Sequence, residues 1–275
     1  MTQAAEKKAG RQSGRETGSL LHVRDMTKIF GGLVALNEVD FNVDEGTVVG
    51  RVGPNRAGKT TVVNSINRNN VPPSGDNVFQ GRRIRGKKPH KVVELGIART
   101  FQAIRLFGNL SVLENVLAGR HCRLRSGLLS SLLHTPGQRL EEAEAVERCM
   151  EELRFVGLDH LWREEAGSLA YGSQRLLEIS RALATDPKLL VLDEPAGGMN
   201  DQETAGLVEV IRAIRARGIT VLLIEHDMRL VMQVCEKLVV LEHGNLIAQG
   251  DPASVRANPD VIEAYLGTDD SDEAY

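Results

Sequence analysis

The sequence predicts an α/β fold built on a mainly parallel core sheet, and three observations point to it. "KLLVLDEP" and "ITVLLIEHD" are short, almost purely apolar runs, each leading into a helical pattern, as strands buried on both faces of a parallel sheet do. The glycine-rich stretch "GRVGPNRAGKTT", Gly50 to Thr61, lies between an apolar strand pattern and the helical pattern "KTTVVNSINR". Near the start, "LLHVRDMTKIF" and "VALNEVDFNVDEGTVVGRVG" alternate apolar and polar residues around the turn-like breaks "FGG" and "DEG", which predicts strands.

In chain order, residues 1–19 are polar and have little to bury, so they predict a disordered leader. Folding begins near Leu20, with strands leading into the glycine-rich loop and its helix. From about Leu95 the pattern becomes mostly helical, including "GQRLEEAEAVERCMEELRFVGL", whose apolar residues recur at helical spacing and whose charges form a solvated face. This predicts an inserted helical subdomain over about 95–175, dividing a core of 20–94 and 176–267. The two apolar strands then resume the sheet. "KLVVLEHGNLIAQGD" predicts a hairpin turning at His243-Gly244-Asn245, two short helices follow, and residues 268–275 form an acidic tail.

Composition removes several function classes. Lys and Arg number 34 against 37 Asp and Glu, a formal charge of -3, so no general attraction to nucleic acid or anionic membrane is expected. Cys122, Cys149 and Cys235 are widely spaced without a C-x-x-C pair, which predicts buried reduced thiols. No apolar run approaches the roughly 18 residues of a membrane span, which predicts a soluble chain whose membrane association goes through a partner.

The chemistry begins at the loop. Gly53 to Thr60 fits G-x-x-x-x-G-K-[ST], in which backbone N–H groups and a helix start surround phosphates, the lysine reaches the terminal ones, and the hydroxyl holds Mg²⁺. Gly53, Pro54, Asn55, Arg56, Ala57, Gly58, Lys59, Thr60 and Thr61 are therefore the candidate nucleotide loop. "LLVLDEP" delivers Asp193 and Glu194 to the carboxyl edge of the sheet, Asp193 toward the Mg²⁺ shell and Glu194 toward a water. Together these features predict nucleoside triphosphate hydrolysis.

"LAYGSQRLLEISRAL" precedes "LLVLDEP" by one short connection, as the signature motif does in ABC-type ATPase subunits, and the chain resembles them from Leu20 to Gly267. That resemblance implies a P-loop NTPase fold with an antiparallel β subdomain and an inserted helical subdomain. It implies that Phe30 stacks on adenine, that Gln102 binds Mg²⁺ or the attacking water, and that His226 contacts the γ-phosphate beside Glu194. Ala170, Tyr171, Gly172, Ser173 and Gln174 form the signature, and Asn200 belongs to "AGGMN". ATP would lie between the phosphate loop of one subunit and the signature of a second, which is a copy or a paralogue. Asp227 is expected to be only a helix cap.

"FGGLVALNEVDF", "GIARTFQAIRLFGNLSVLENVLAG", "LAYG", the insertion "RLRSGLLSSLLHTP" and the ending "NPDVIEAYLG" resemble the larger ATPase subunit of bacterial branched-chain amino acid importers. This implies two membrane permease subunits, an extracytoplasmic solute-binding protein, and a place on the cytoplasmic face of the inner membrane. Transport ATPases for urea and for lipopolysaccharide export are similar. A groove from Gln102 to Glu114 is expected to receive a permease helix, with Phe107, Leu110 and Val112 exposed. The departures are Arg56 and Arg68 where the family carries glycine, Arg51 where it carries an aliphatic residue, and Ser173 in the signature. Arg51, Arg56 and Arg68 leave a second reading open, a degenerate or regulatory subunit with weak hydrolysis.

Overall fold

The computed structural model describes residues 18–53, 61, 74–123 and 136–269. The leader, Pro54 to Thr60, Arg68, most of the segment 123–136 and the end of the acidic tail lie outside the described residues.

Alternation at the start of the chain gives strands β1 (Ser19–Phe30) and β2 (Leu33–Asp44), paired antiparallel so that Leu21, Val23, Leu36, Val39 and Val43 are fully buried. Gly31 and Gly32 close this hairpin at φ 51° and 95°, the left-handed pair a two-residue turn between twisted strands requires. With β4 (Ser74–Phe79) and β5 (Arg82–Arg83) they form a four-stranded sheet ordered β2-β1-β4-β5.

The second sheet holds β3 (Val48–Val52), β6 (Ile97–Arg99), β7 (Leu189–Asp193), β8 (Thr220–Ile224), β9 (Lys237–Glu242) and β10 (Asn245–Gly250), in the order β10-β9-β3-β8-β7-β6. All neighbours run parallel except β9 and β10, the hairpin, which turns at His243 and Gly244 with φ 45° and 81°. Every residue of β3, β7 and β8 is buried, which is why these runs lack alternation.

Helices follow: α1 (Pro89–Glu94), α2 (Val112–Arg120), α3 (Pro136–Phe155), α4 (Tyr171–Leu183), α5 (Asp201–Ala216), α6 (Met228–Val234), α7 (Pro252–Arg256) and α8 (Pro259–Asp269). One face of the six-stranded sheet packs on the four-stranded sheet through Phe41, Val49, Val191, Ile224 and Val239. The other packs on α4, α5 and α6 through Leu190, Ile179, Leu207 and Val231. A third cluster, including Val116, Cys149, Leu153 and Leu177, joins α2, α3 and α4.

Two boundaries differ from the sequence expectation. Ile97–Arg99 is a core strand paired with β7, so the helical segment begins beyond it; three residues are too few to display a period. Helix α4 serves both cores, Leu177 facing the helical cluster and Ile179 the sheet, so no division falls at 175. Val112, expected on the surface, is fully buried behind the Ser111–Glu114 capping box, while Phe107 and Leu110 are exposed.

Candidate functional site

Because β3, β7 and β8 are parallel, their carboxyl ends share one edge. β3 delivers Gly53 there; Pro54, Asn55, Arg56, Ala57, Gly58, Lys59 and Thr60 lie outside the described residues, and Thr61 is helical. The backbone N–H of Gly53 donates to the phenol oxygen of Tyr265 on α8, and the hydroxyl donates to Met228 Sδ at 3.7 Å. The carboxyl-terminal helix therefore reaches the first residue of the loop.

β7 ends in Asp193, buried among the core strands, and the chain then reverses through Glu194 at φ 48°. That left-handed conformation costs a non-glycine residue about 1–2 kcal/mol. It is held by the Glu194 N–H donating to Ile224 O at 2.9 Å and by Gln102 Nε2 donating to Glu194 Oε2 at 2.7 Å. Two residues remote in sequence are thus in direct contact.

β8 runs on into Glu225 and His226. Glu225 is buried and accepts the N–H groups of Ala196 at 3.0 Å and His226 at 3.2 Å; burial pushes its carboxyl above the ordinary range. The His226 ring is largely exposed, with Nδ1 3.7 Å from Glu225 Oε2. It borders a cleft between Gly197–Met199 and Glu225–Arg229.

Asp193 is the most constrained member of the edge. Arg99 Nη2 donates to its Oδ2 at 2.6 Å, with both side chains buried. On the other side lies Arg51, fully buried, its guanidinium pushed down to about 9 by desolvation while the Asp193 carboxylate pulls it back up.

The predicted signature is the start of α4. Ala170 is its N-cap and supplies no side-chain bond, leaving the first-turn N–H groups and the positive dipole end for an anion. Tyr171 donates to Gly197 O at 2.9 Å, and a Cβ at Gly172 would stand 2.4 Å from Glu203 Oε1, so a larger residue there would displace the Glu203 side chain. Gln174 donates to Leu169 O, and Asn200 caps α5 reciprocally with Glu203. The side-chain oxygen of Asn200 therefore holds a helix end. Phe30 stands half-exposed at the hairpin tip with the Lys28 ammonium 4.9 Å from its ring centre.

Arg175, Arg99, Glu225 and Glu178 escaped the sequence reading. Arg175 donates to Phe101 O, Gln102 O and the Tyr171 hydroxyl, tying the signature helix to the segment that carries Gln102. Glu178 accepts the Arg105 N–H at 2.8 Å and lies between Arg175 and Arg181; its burial nevertheless raises its carboxyl. Only Glu225 left a local signal, as a carboxylate directly after an apolar strand.

The model of the family described as ABC transporter matches residues 36–197, more than half of the chain. The chain belongs to the ABC transporter family. A second model, branched-chain amino acid ATP-binding cassette transporter, matches residues 245–271 of this ABC cassette. The cassette is 45% identical, over 90% of its length and 98% of the relative's, to the high-affinity branched-chain amino acid transport ATP-binding protein BraF of Pseudomonas aeruginosa. To LivG of Escherichia coli, which carries the same description, it is 42% identical over the same shares. A crystal structure titled as the ADP conformation of an ATP-binding cassette of an ABC transporter superimposes with a TM-score of 0.80 at 34% identity, covering 91% of this chain and all of that one.

The cassette is thus an ATP-binding protein of a transporter and an ATPase coupled to transport. Its relatives are subunits of ABC transporters, which implies membrane permease partners; no helix among the described residues is long and apolar enough to cross a membrane. The fold family implies a divalent cation. Among the described residues no three acidic, His or Cys side chains gather, but Mg²⁺ ordinarily takes one or two carboxylates with phosphate and water. The oxygen donors of Asp193 and Gln102 fit that chemistry.

Proposed function

We propose that the chain is the ATP-hydrolysing subunit of an importer for branched-chain or other hydrophobic amino acids, acting on the cytoplasmic face of the membrane. The observation that carries this reading is the Gln102–Glu194 contact at the edge where the phosphate loop begins. The relatives supply the solute class, because the chain is matched along nearly its whole length to proteins named for branched-chain amino acid transport.

Lys59 and the loop N–H groups hold the β- and γ-phosphates, and Phe30 stacks on adenine. Asp193, Thr60 and Gln102 would hold Mg²⁺, which would screen the charge of the phosphates. Glu194 accepts a hydrogen bond from the attacking water, Gln102 fixes the Glu194 carboxylate, and His226 donates to the γ-phosphate. The first turn of α4, Ala170 to Gln174, faces the γ-phosphate of a second cassette, and Asn200 lies at that junction. Arg175 links the signature to Gln102, so closure of the pair is felt by the segment leading to Phe107 and Leu110. These exposed side chains dock a permease helix, and the permeases receive solute from an extracytoplasmic binding protein.

A second reading, a cassette that binds nucleotide but hydrolyses slowly, is favoured by the burial of Arg51 beside Asp193. Turnover by the purified chain, alone and with a paralogous cassette, compared with Lys59→Ala, decides between the two. Lys59-dependent turnover supports the motor; nucleotide binding without turnover in either mixture supports the second reading.

A further inference from the structure

Arg51 and Asp193 occupy one row of the core sheet. Each is registered against Ile224, Arg51 from β3 and Asp193 from β7, with only β8 between them. Two strand spacings place their backbones about 10 Å apart. Because both pair with the same residue, both side chains leave the same face of the sheet, toward the Val49, Val191 and Ile224 layer. Both are buried, Arg51 at 0% and Asp193 at 3% exposed, and the Asp193 carboxylate favours the charged form of the Arg51 guanidinium.

The two arginines beside this carboxylate differ in place. Arg99 lies on β6, the edge strand, and its buried side chain donates to Asp193 Oδ2. Arg51 lies on β3, with β8 on one side and β9 on the other, under a second sheet. Its charge is fixed. An aspartate flanked by two guanidinium groups presents a net positive environment to any approaching cation, and in a buried setting that repulsion is only weakly screened.

We propose that Arg51 is an internal countercharge to Asp193 that weakens its hold on a divalent cation, so that nucleotide binding by this chain gains little from Mg²⁺. This rests on the reading of Asp193 as part of the nucleotide site. Arg51 is a positioning residue acting through that carboxylate, and its charge, not its shape, carries the effect.

The test measures affinity for the ATP analogue AMP-PNP in EDTA and in Mg²⁺ for the wild-type chain, Arg51→Met and Arg51→Lys. Mn²⁺ binding to the analogue-loaded protein is followed by electron paramagnetic resonance. Arg51→Met is expected to enlarge the gain from Mg²⁺ on the order of tenfold and to tighten Mn²⁺ equally, whereas Arg51→Lys keeps the small wild-type gain. Arg51→Leu is the second neutral variant if Arg51→Met fails to fold. Equal Mg²⁺ gains in wild type and both neutral variants, or a Lys variant that behaves like Met, overturn the proposal while leaving the nucleotide site standing. Absence of analogue binding in EDTA and in Mg²⁺ overturns the site assignment and the proposal together.

Discussion

Gln102 and Glu194 are joined by a 2.7 Å hydrogen bond from Nε2 to Oε2, across 92 residues of sequence. One carries a carboxylate at the end of a core strand, and the other opens the segment leading to the exposed Phe107. The bond ties the carboxylate edge to the start of that segment.

Glu194→Gln is expected to retain ATP binding and to lower turnover on the order of 10²- to 10⁴-fold, because it removes the base while leaving the phosphate contacts intact. Equilibrium binding and phosphate release, measured on the same preparation, check this. Unchanged release would remove Glu194 from the chemistry.

Lys59→Ala should abolish nucleotide binding, whereas Arg56→Gly should tighten it roughly 5- to 30-fold, the factor that a non-glycine residue required at positive φ would cost. Isothermal titration with ATP distinguishes them. If Arg56→Gly changes nothing, the arginine is tolerated at no conformational cost.

Glu225 gives a pH dependence of known sign. Burial raises its folded-state carboxyl pKa above the unfolded value of 4.5, so between those values the folded state binds more protons. The cost of keeping Glu225 ionised is present near neutrality and is relieved as pH falls into that window. Chemical denaturation should therefore find wild type gaining stability relative to Glu225→Gln as pH is lowered from neutrality toward 4.5. A difference independent of pH would show that Glu225 does not titrate there.

Gly119 on α2 fixes the spacing of two helices. A Cβ built there would stand 2.3 Å from the backbone oxygen of Arg181 on α4, an obstacle that no side-chain rotation removes. Gly119→Ala is expected to lower stability by about 1–3 kcal/mol, read as a shift of the urea midpoint at unchanged slope.

Much of the architecture was legible because it is written in local chemistry. Unbroken apolar runs required strands covered on both faces, and β7 and β8 are such strands. Asp227 after an apolar strand implied a helix cap, and its Oδ1 accepts the Arg229 N–H at 2.8 Å. In each case the determining interaction lies within a few residues of chain, so residue type and spacing suffice.

The environment of the site was decided elsewhere. Arg51 was expected to be a buried charge, but its partner could not be named, because it depends on β8 lying between β3 and β7. Arg99 reaches Asp193 only because the short strand Ile97–Arg99 joins the sheet edge, and Arg175 gathers Phe101, Gln102 and Tyr171 only because α4 packs on that edge. Val112 is buried by helices that follow it in the chain. Sequence by itself determined which segments become strands and helices and which residues carry charge, since those follow from local backbone preference and periodicity. Strand order and register, set by burying every apolar face at once, decided which charges meet, and that is a property of the folded chain as a whole.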